Sequence, residues 1–244
     1  MSHTVLITGA NKGIGLATAG LFLDKGDHVI AGYRKHSGQL DQLLCEYGDK
    51  LEPCLIDITD DTTFANADKY RETVDILINN AGVAVGQCEF QKSPMRDILT
   101  MIETNVTGTV KMTHHYLNCL APQHGGHVVF VGSIAGSYAY PSNHIYGASK
   151  AFLQHFAMNL RSDLSPNFRI TSVEPGLVET DFFHTRYKGD RDRARAVYQQ
   201  TTPLQGDDIA QAIVFACHTA ARSNVSRIEV MPTKQTLSAL NLAP

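Results

Sequence analysis

Ser133, Tyr146 and Lys150 are the residues of this chain whose types and spacing invite chemistry. The stretch His127-Val-Val-Phe-Val-Gly132 is a short continuous apolar run that leads into Ser133, and after a loop comes Tyr146-Gly-Ala-Ser-Lys150. A tyrosine and a lysine four residues apart on a helix share one face, so both side chains can reach a common ligand. A free tyrosine, with a pKa of about 10, is a poor base at neutral pH. A neighbouring ammonium favours the phenolate and lowers that pKa, which makes proton transfer at a bound ligand the chemistry open to this trio. The bland alternative is a helix-surface tyrosine and lysine beside an unrelated loop serine. The rest of the chain decides between the two.

The elements that must position these groups alternate. Apolar runs predict strands over Thr4 to Thr8, His28 to Gly32, Leu51 to Ile56, Asp75 to Ile78, His127 to Gly132, Arg169 to Val173 and Arg227 to Met231. Helical patterns separate them near Ile14 to Lys25, Leu40 to Tyr47, Thr62 to Tyr70, Ser93 to Leu120, Tyr146 to Leu164 and Asp207 to Thr219. Such alternation implies right-handed crossovers and an α/β fold, a doubly wound, seven-stranded parallel sheet with helices on both faces. With no repeat, low-complexity tract or linker, residues 1–244 read as a single domain. Ser133 then sits at the C-terminal end of a strand, where ligands bind in open α/β sheets.

A charged fraction of 18% and a formal net charge of −3 leave no basic stripe to argue for nucleic acid or an anionic membrane surface. No apolar run approaches a bilayer span, and neither end begins with a charged-then-apolar targeting segment. The five cysteines are scattered, with no C-x-x-C pair, as expected of reduced thiols. A cytoplasmic protein is the expectation.

After the first predicted strand comes Thr8-Gly9-Ala10-Asn11-Lys12-Gly13-Ile14-Gly15, opening the first helix. Glycines there permit a tight turn and let backbone approach a pyrophosphate, whose charge the helix N-terminus stabilises. That context marks a dinucleotide site rather than an ordinary glycine-rich turn. A carboxylate ending the second strand would hold the ribose hydroxyls of NAD, whereas a base accommodates the extra phosphate of NADP. Here the strand runs into Tyr33-Arg34-Lys35-His36, with no acid, and Lys12 adds a second positive charge. NADP is therefore the expected cofactor. Asp57 and Ile58, after the third strand, are placed for the adenine, and Asn79-Asn80-Ala81-Gly82 closes the fourth strand with small residues. Asp, Asn and Gly are also ordinary turn-formers.

These pieces, with Asn105, Ser133, Tyr146, Lys150 and Pro175-Gly176, resemble the short-chain dehydrogenase/reductases, in family order along nearly the whole chain. The resemblance implies a Rossmann fold and a hydride-transfer enzyme. It assigns Tyr146 as acid/base, Lys150 as the group that lowers its pKa and holds the nicotinamide ribose, Ser133 as the group that orients the carbonyl, and Asn105 as support for a water-linked proton relay. Gly9, Asn11, Gly13, Asn79, Ala81 and Gly82 fall on cofactor-binding positions, and Pro175, Gly176, Val178 and Thr180 on the segment that holds the nicotinamide end. In the last third, Glu174-Pro-Gly-Leu-Val-Glu-Thr-Asp-Phe-Phe, Arg186-Tyr-Lys-Gly-Asp190 and Val230-Met-Pro-Thr-Lys-Gln look like the NADP-dependent 3-hydroxy acid (serine-type) dehydrogenase branch. One departure stands out: between Asp57 and Asn79 the chain is about a helical turn shorter than the family pattern.

A 3-oxoacyl or general carbonyl reductase would keep the same catalytic residues and differ at the substrate lid, expected over about residues 181–200. There Arg186 or Lys188 could meet an anionic substrate, or belong to a solvated helix face. A non-catalytic nucleotide sensor would lose the active-site residues present here. No metal is expected: among eleven histidines the only close pair is His114-His115, and adjacent helical residues point about 100° apart. His144 either lines the substrate pocket or is a loop histidine. The resemblance implies homodimers or homotetramers, built through the helices that begin near Ser93 and Tyr146, with Phe152, Phe156 and Met158 either in that contact or packed on the sheet.

Overall fold

The computed structural model describes residues 2–117, 125–199 and 202–236. The end of the expected Ser93–Leu120 helix, Gln200 of the expected lid, and residues 237–244 lie outside the described residues.

Seven strands form one parallel sheet: β1 (Thr4–Thr8), β2 (His28–Tyr33), β3 (Leu51–Leu55), β4 (Ile76–Asn79), β5 (His127–Val131), β6 (Arg169–Pro175) and β7 (Arg227–Val230). Their order is β3-β2-β1-β4-β5-β6-β7, so the chain winds outward from the centre in both directions. The strand sequences alternate between two apolar faces. Val5, Ile7, Val29, Ile76, Ile78, Val129 and Val131 pack in one cluster, and Leu6, Ile30, Leu77, Val128 and Phe130 in the other. Period two along a strand buried on both sides explains why these stretches read as continuous apolar runs. Pro53, which cannot donate to a ladder, is confined to the edge strand β3.

One face is covered by α1 (Gly13–Asp24), α2 (Gly38–Tyr47) and, late in the chain, α8 (Gly206–Cys217), which packs on α1. The other carries α4 (Thr109–Leu117) and α5 (His144–Asp163), with α3 (Met95–Ile102) packed against α5. Between β6 and α8 lie the short α6 (Phe182–Arg186) and α7 (Arg191–Tyr198).

Two expected helices take another form. The stretch Asp61–Tyr70 is a run of 3₁₀ turns rather than an α-helix. Because a 3₁₀ turn rises roughly 2.0 Å per residue against 1.5 Å in an α-helix, the shortened segment still spans from β3 to β4. The expected single helix from Ser93 is interrupted by a π-helical turn, Glu103–Gly108, that separates α3 from α4. Gly108 there lies against the Ile58 carbonyl, 2.6 Å from where a Cβ would be, so the wider turn lets this helix press onto the loop after β3.

Candidate active site

The C-terminal ends of β1 and β4 are tied by side chains that sequence reading undervalued. Thr8 Oγ1 accepts from the backbone N–H groups of Asn80 and Ala81, each at 3.0 Å, and Asn80 Nδ2 donates to the carbonyls of Thr8 and Gly9 at 2.9 and 3.0 Å. Gly15 packs into this knot: a Cβ on it would stand 2.3 Å from the Gly9 carbonyl oxygen and 2.5 Å from Asn80 Nδ2. Gly13 adopts a φ of +54°, which disfavours a side chain, and faces Thr180 across the cleft. The glycines therefore keep a backbone-lined cradle open at the N-terminus of α1.

A cleft of about 540 Å³ runs from that cradle across the sheet edge. Of the site residues expected from the sequence, Gly9, Asn11, Lys12, Gly13, Ile14, Arg34, Lys35, Asp57, Ile58, Ala81, Gly82, Ser133, Tyr146, Lys150, Pro175, Gly176, Val178, Thr180 and Arg186 line it. At one end, Asn11 Nδ2 donates to the Lys35 carbonyl at 2.7 Å, and Ser37 Oγ donates to the Asn11 carbonyl at 2.5 Å. The basic turn after β2 is thereby fastened to the glycine loop. Lys12 reaches across to Asp181 at 3.5 Å. Asp57 lines the cleft while its Oδ1 accepts from the Thr59 N–H and hydroxyl, so it is turn-former and wall at once.

Three expected residues do not face this cleft. Gly15 sits behind the cradle. Asn79, the last residue of β4, points away and donates to Thr113 Oγ1 at 3.0 Å; Asn80 takes the cleft position instead. Asn105 is fully buried in the π-helical turn, where Oδ1 accepts from the Val83 N–H and Nδ2 donates to the Val83 carbonyl and Ser149 Oγ. Its amide is committed to holding the loop after β4 against α5. Any part in a proton relay falls to its backbone.

Ser133, Tyr146 and Lys150 converge. The Ala135 N–H donates to Ser133 Oγ at 3.1 Å, leaving the hydroxyl proton free, and a hydrogen bond from Ser133 favours the Tyr146 phenolate. Lys150 is 5% exposed, its Nζ donates to the Val131 carbonyl at 2.8 Å and stands 5.8 Å from the centre of the Tyr146 ring. Burial pulls its pKa down to about 8. The Tyr146 phenol is pushed above its ordinary range by burial, with Ser133 and Arg186 opposing that rise. At 5.8 Å from the ring centre, the lysine is held in place by the Val131 carbonyl.

The lid segment brings Phe182 to 5.4 Å from the Tyr146 ring and the Arg186 guanidinium to 5.9 Å. Arg186 is 4% exposed; Nη2 donates to Asn143 Oδ1 at 2.9 Å, and Nε has no hydrogen-bond partner among the described residues. Lys188, its competitor for an anion, is paired with Asp97 at 2.6 Å and does not line the cleft. His144 also turns away. Its Nε2 lies 3.2 Å from the Cys88 carbonyl and from Ser93 Oγ, pinning the loop before α3. Tyr140, Ser37, Thr185 and Gln235 line the cleft without having been singled out, since isolated residues of these types carry no spacing signal.

The arrangement suits an elongated dinucleotide: backbone amides and a helix N-terminus for the pyrophosphate, basic side chains at one end, and proton-transfer groups at the other. A family model described as short chain dehydrogenase matches residues 3–191. The chain is 40% identical over 251 residues to sulfoacetaldehyde reductase 2 of Chromohalobacter salexigens, covering 98% of each chain. It is 37% identical over 244 residues to an NADP-dependent 3-hydroxy acid dehydrogenase of Escherichia coli K12, again covering 98% of each. The structure superposes with a TM-score of 0.91 on the closed form of a serine dehydrogenase complexed with NADP⁺, at 36% identity and 99% coverage of both chains. By sequence, fold and the convergence of Ser133, Tyr146 and Lys150 on one cleft, this chain belongs to the short-chain dehydrogenase/reductase family.

Proposed function

We propose that the protein is an NADP(H)-dependent oxidoreductase that interconverts a short 3-hydroxy acid, or a similarly small alcohol bearing an anionic group, with its aldehyde or ketone. The observation that carries the substrate class is Arg186: a guanidinium buried in the cleft beside Tyr146, with Nε left unpartnered among the described residues. A buried, unsatisfied charged donor is costly unless a ligand completes it. A carboxylate or sulfonate two or three bonds from the reacting carbon would do so, in keeping with the anionic substrates in the names of the relatives.

The glycine cradle, Arg34 and Lys35 hold the dinucleotide, and the small residue Gly82 leaves room beside Lys150 Nζ, 3.3 Å from where a Cβ would be. Bound NADP supplies the hydride acceptor, and NADPH the donor. Ser133 donates to the substrate oxygen and fixes it against Tyr146. In oxidation the phenolate takes the alcohol proton; in reduction the phenol returns it to the oxygen as the carbonyl becomes an alcohol. Phe182 and Phe183 wall the site and exclude water.

The test is to follow NADP reduction with serine, 3-hydroxypropionate and 3-hydroxybutyrate beside neutral alcohols of equal length, in the native enzyme and in Arg186→Gln. Loss of at least tenfold in kcat/KM, confined to the anionic substrates, is expected. Equal use of charged and neutral substrates by the native enzyme would overturn the assignment.

A homodimer or homotetramer is also proposed, because α3 and α5, packed side by side, expose Met95, Leu99, Phe152 and Met158. Phe156, by contrast, packs inward on the core. Sedimentation at micromolar concentration should give a multiple of 26.7 kDa; a monomer would refute this. No helix of the described residues is long and apolar enough to cross a membrane. With four described cysteines free, a cytoplasmic location is the consistent proposal.

A further inference from the structure

The opposite edge of the sheet, at the N-terminal ends of the strands, holds a second cluster. His3 precedes β1, Asp27 precedes β2, and His218 follows α8. One ligand atom from each, a ring nitrogen from either histidine and a carboxylate oxygen, lies within 4.8 Å of the others. We propose that His3, Asp27 and His218 bind one divalent transition-metal ion, with Zn²⁺ the best match, remote from the active-site cleft.

The hydrogen bonds around the cluster leave its donor atoms pointing inward. Asp27 is 1% exposed, and its Oδ1 accepts from the His3 backbone N–H at 2.8 Å. Its Oδ2 is buried and has no hydrogen-bond partner among the described residues, and the same holds for His3 Nδ1. His218 Nδ1 is 3.1 Å from the Val214 carbonyl, which can only accept, so Nδ1 donates there and Nε2 faces the cluster. That nitrogen stands 3.1 Å from Asp27 Oδ2, and His3 Nδ1 stands 3.3 Å from Oδ1. Close approach of these atoms is repulsive unless a positive charge, a metal ion among them or a proton on either ring, offsets it.

The donor set fits zinc: two imidazole nitrogens and one carboxylate oxygen, with a fourth tetrahedral position left for water. The His218 Nδ1–H to a backbone carbonyl is the outer hydrogen bond that commonly orients a ligating histidine. The side chains of His3 and His218 are 28% and 31% exposed, so an ion can enter and the rings can rotate to close on it. The His3 and His218 rings meet edge to face at 5.3 Å and His218 rests on Phe22, which limits that rotation to small angles. Bound there, the ion would join the start of β1, the turn after α1 and the end of α8. Its effect would be on stability rather than turnover.

The experiment uses the full-length, untagged protein stripped with chelator, titrated with ZnCl₂ by calorimetry and by thermal unfolding, beside His3→Gln and His218→Gln. One equivalent binding at micromolar concentration or tighter, with a rise in Tm, is expected in the native protein. Each variant should bind at least tenfold more weakly and lose the Tm rise, while NADPH binding stays at the native level and shows that the variant is folded. Cobalt substitution should give the intense visible absorption of a four-coordinate site. A native protein that binds no zinc, with a stability set only by pH, would mean that the cluster is a histidine–aspartate ion pair and would overturn the proposal. Zinc binding that persists equally in both variants would assign it to other surface histidines, with the same result.

Discussion

Lys150 Nζ and the carbonyl oxygen of Val131 are 2.8 Å apart, so the lysine of α5 is anchored to the end of the strand that presents Ser133. The bond joins two elements of the site through a side chain whose charged form is disfavoured by burial. Lysine in that position carries a cost to folding.

That cost gives a pH signature. Burial lowers the folded-state pKa of Lys150 from 10.5 to about 8. Below pH 8 the side chain is charged in both states and folding bears the whole desolvation penalty, about 3 kcal/mol at 1.36 kcal/mol for each unit. Between 8 and 10.5 the unfolded chain binds the proton more tightly than the folded one, so stability rises with pH. In Lys150→Met this contribution is absent. Urea denaturation at pH 7 and pH 10 should show the native protein gaining up to about 3 kcal/mol relative to the variant. Parallel pH profiles would show that the lysine is not desolvated.

Tyr146→Phe should lower turnover by roughly 10²- to 10⁴-fold, the range for loss of one proton-transfer group. NADPH affinity, measured by fluorescence, should stay within about twofold, because the ring and its packing on Phe182 are kept. Substantial residual turnover would move the acid/base role elsewhere in the cleft.

Arg34 is the residue proposed to carry the preference for NADP. A charged hydrogen bond contributes about 1.5–3 kcal/mol, so the native enzyme should favour NADP over NAD by roughly ten- to a hundredfold or more in kcat/KM. Arg34→Asp should repel the 2′-phosphate and recover part of the NAD use through the ribose hydroxyls. Lys12 is the smaller contributor, since Asp181 competes for its charge. If the substitution left the preference intact, the basic turn after β2 would be a solvated loop only.

The residues that were legible in the sequence are those whose position is set by a short local rule. Strand ends follow from apolar runs, and Arg34, Tyr146 and Lys150 follow from a strand end or a helical spacing. The misses fall where one residue of register decides a side chain's direction. Asn79 and Asn80 are the same amino acid, but the first is the last residue of β4 and points to α4, while the second has left the strand and turns into the cleft. Arg186 and Lys188 differ likewise: the first ends α6 inside the cleft, and the second lies beyond it with a left-handed φ of +55° and reaches Asp97. The π-helical turn at Asn105 has no sequence signature, because helical propensity does not distinguish i→i+4 from i→i+5 bonding. His218 is separated from His3 and Asp27 by most of the chain, and the three meet only because the starts of β1 and β2 and the end of α8 lie at one edge of the sheet.

The strand order also dictates how the molecule must assemble in time. Within β1–β3, and again within β4–β7, each strand pairs with its neighbour in the chain through one crossover. Within the sheet the two halves join at β1–β4, where the Thr4 N–H donates to Asp75 across 71 residues and Thr8 locks to Asn80 and Ala81. The loop closed there is the longest among the pairings of the sheet, so this seam is expected to gain protection last, which hydrogen exchange during refolding would check. The cofactor cradle is built on that same seam. A nascent or refolding chain therefore has no nucleotide site until its two halves have met, and nucleotide present during folding acts as a latch on the finished molecule rather than as a template for it.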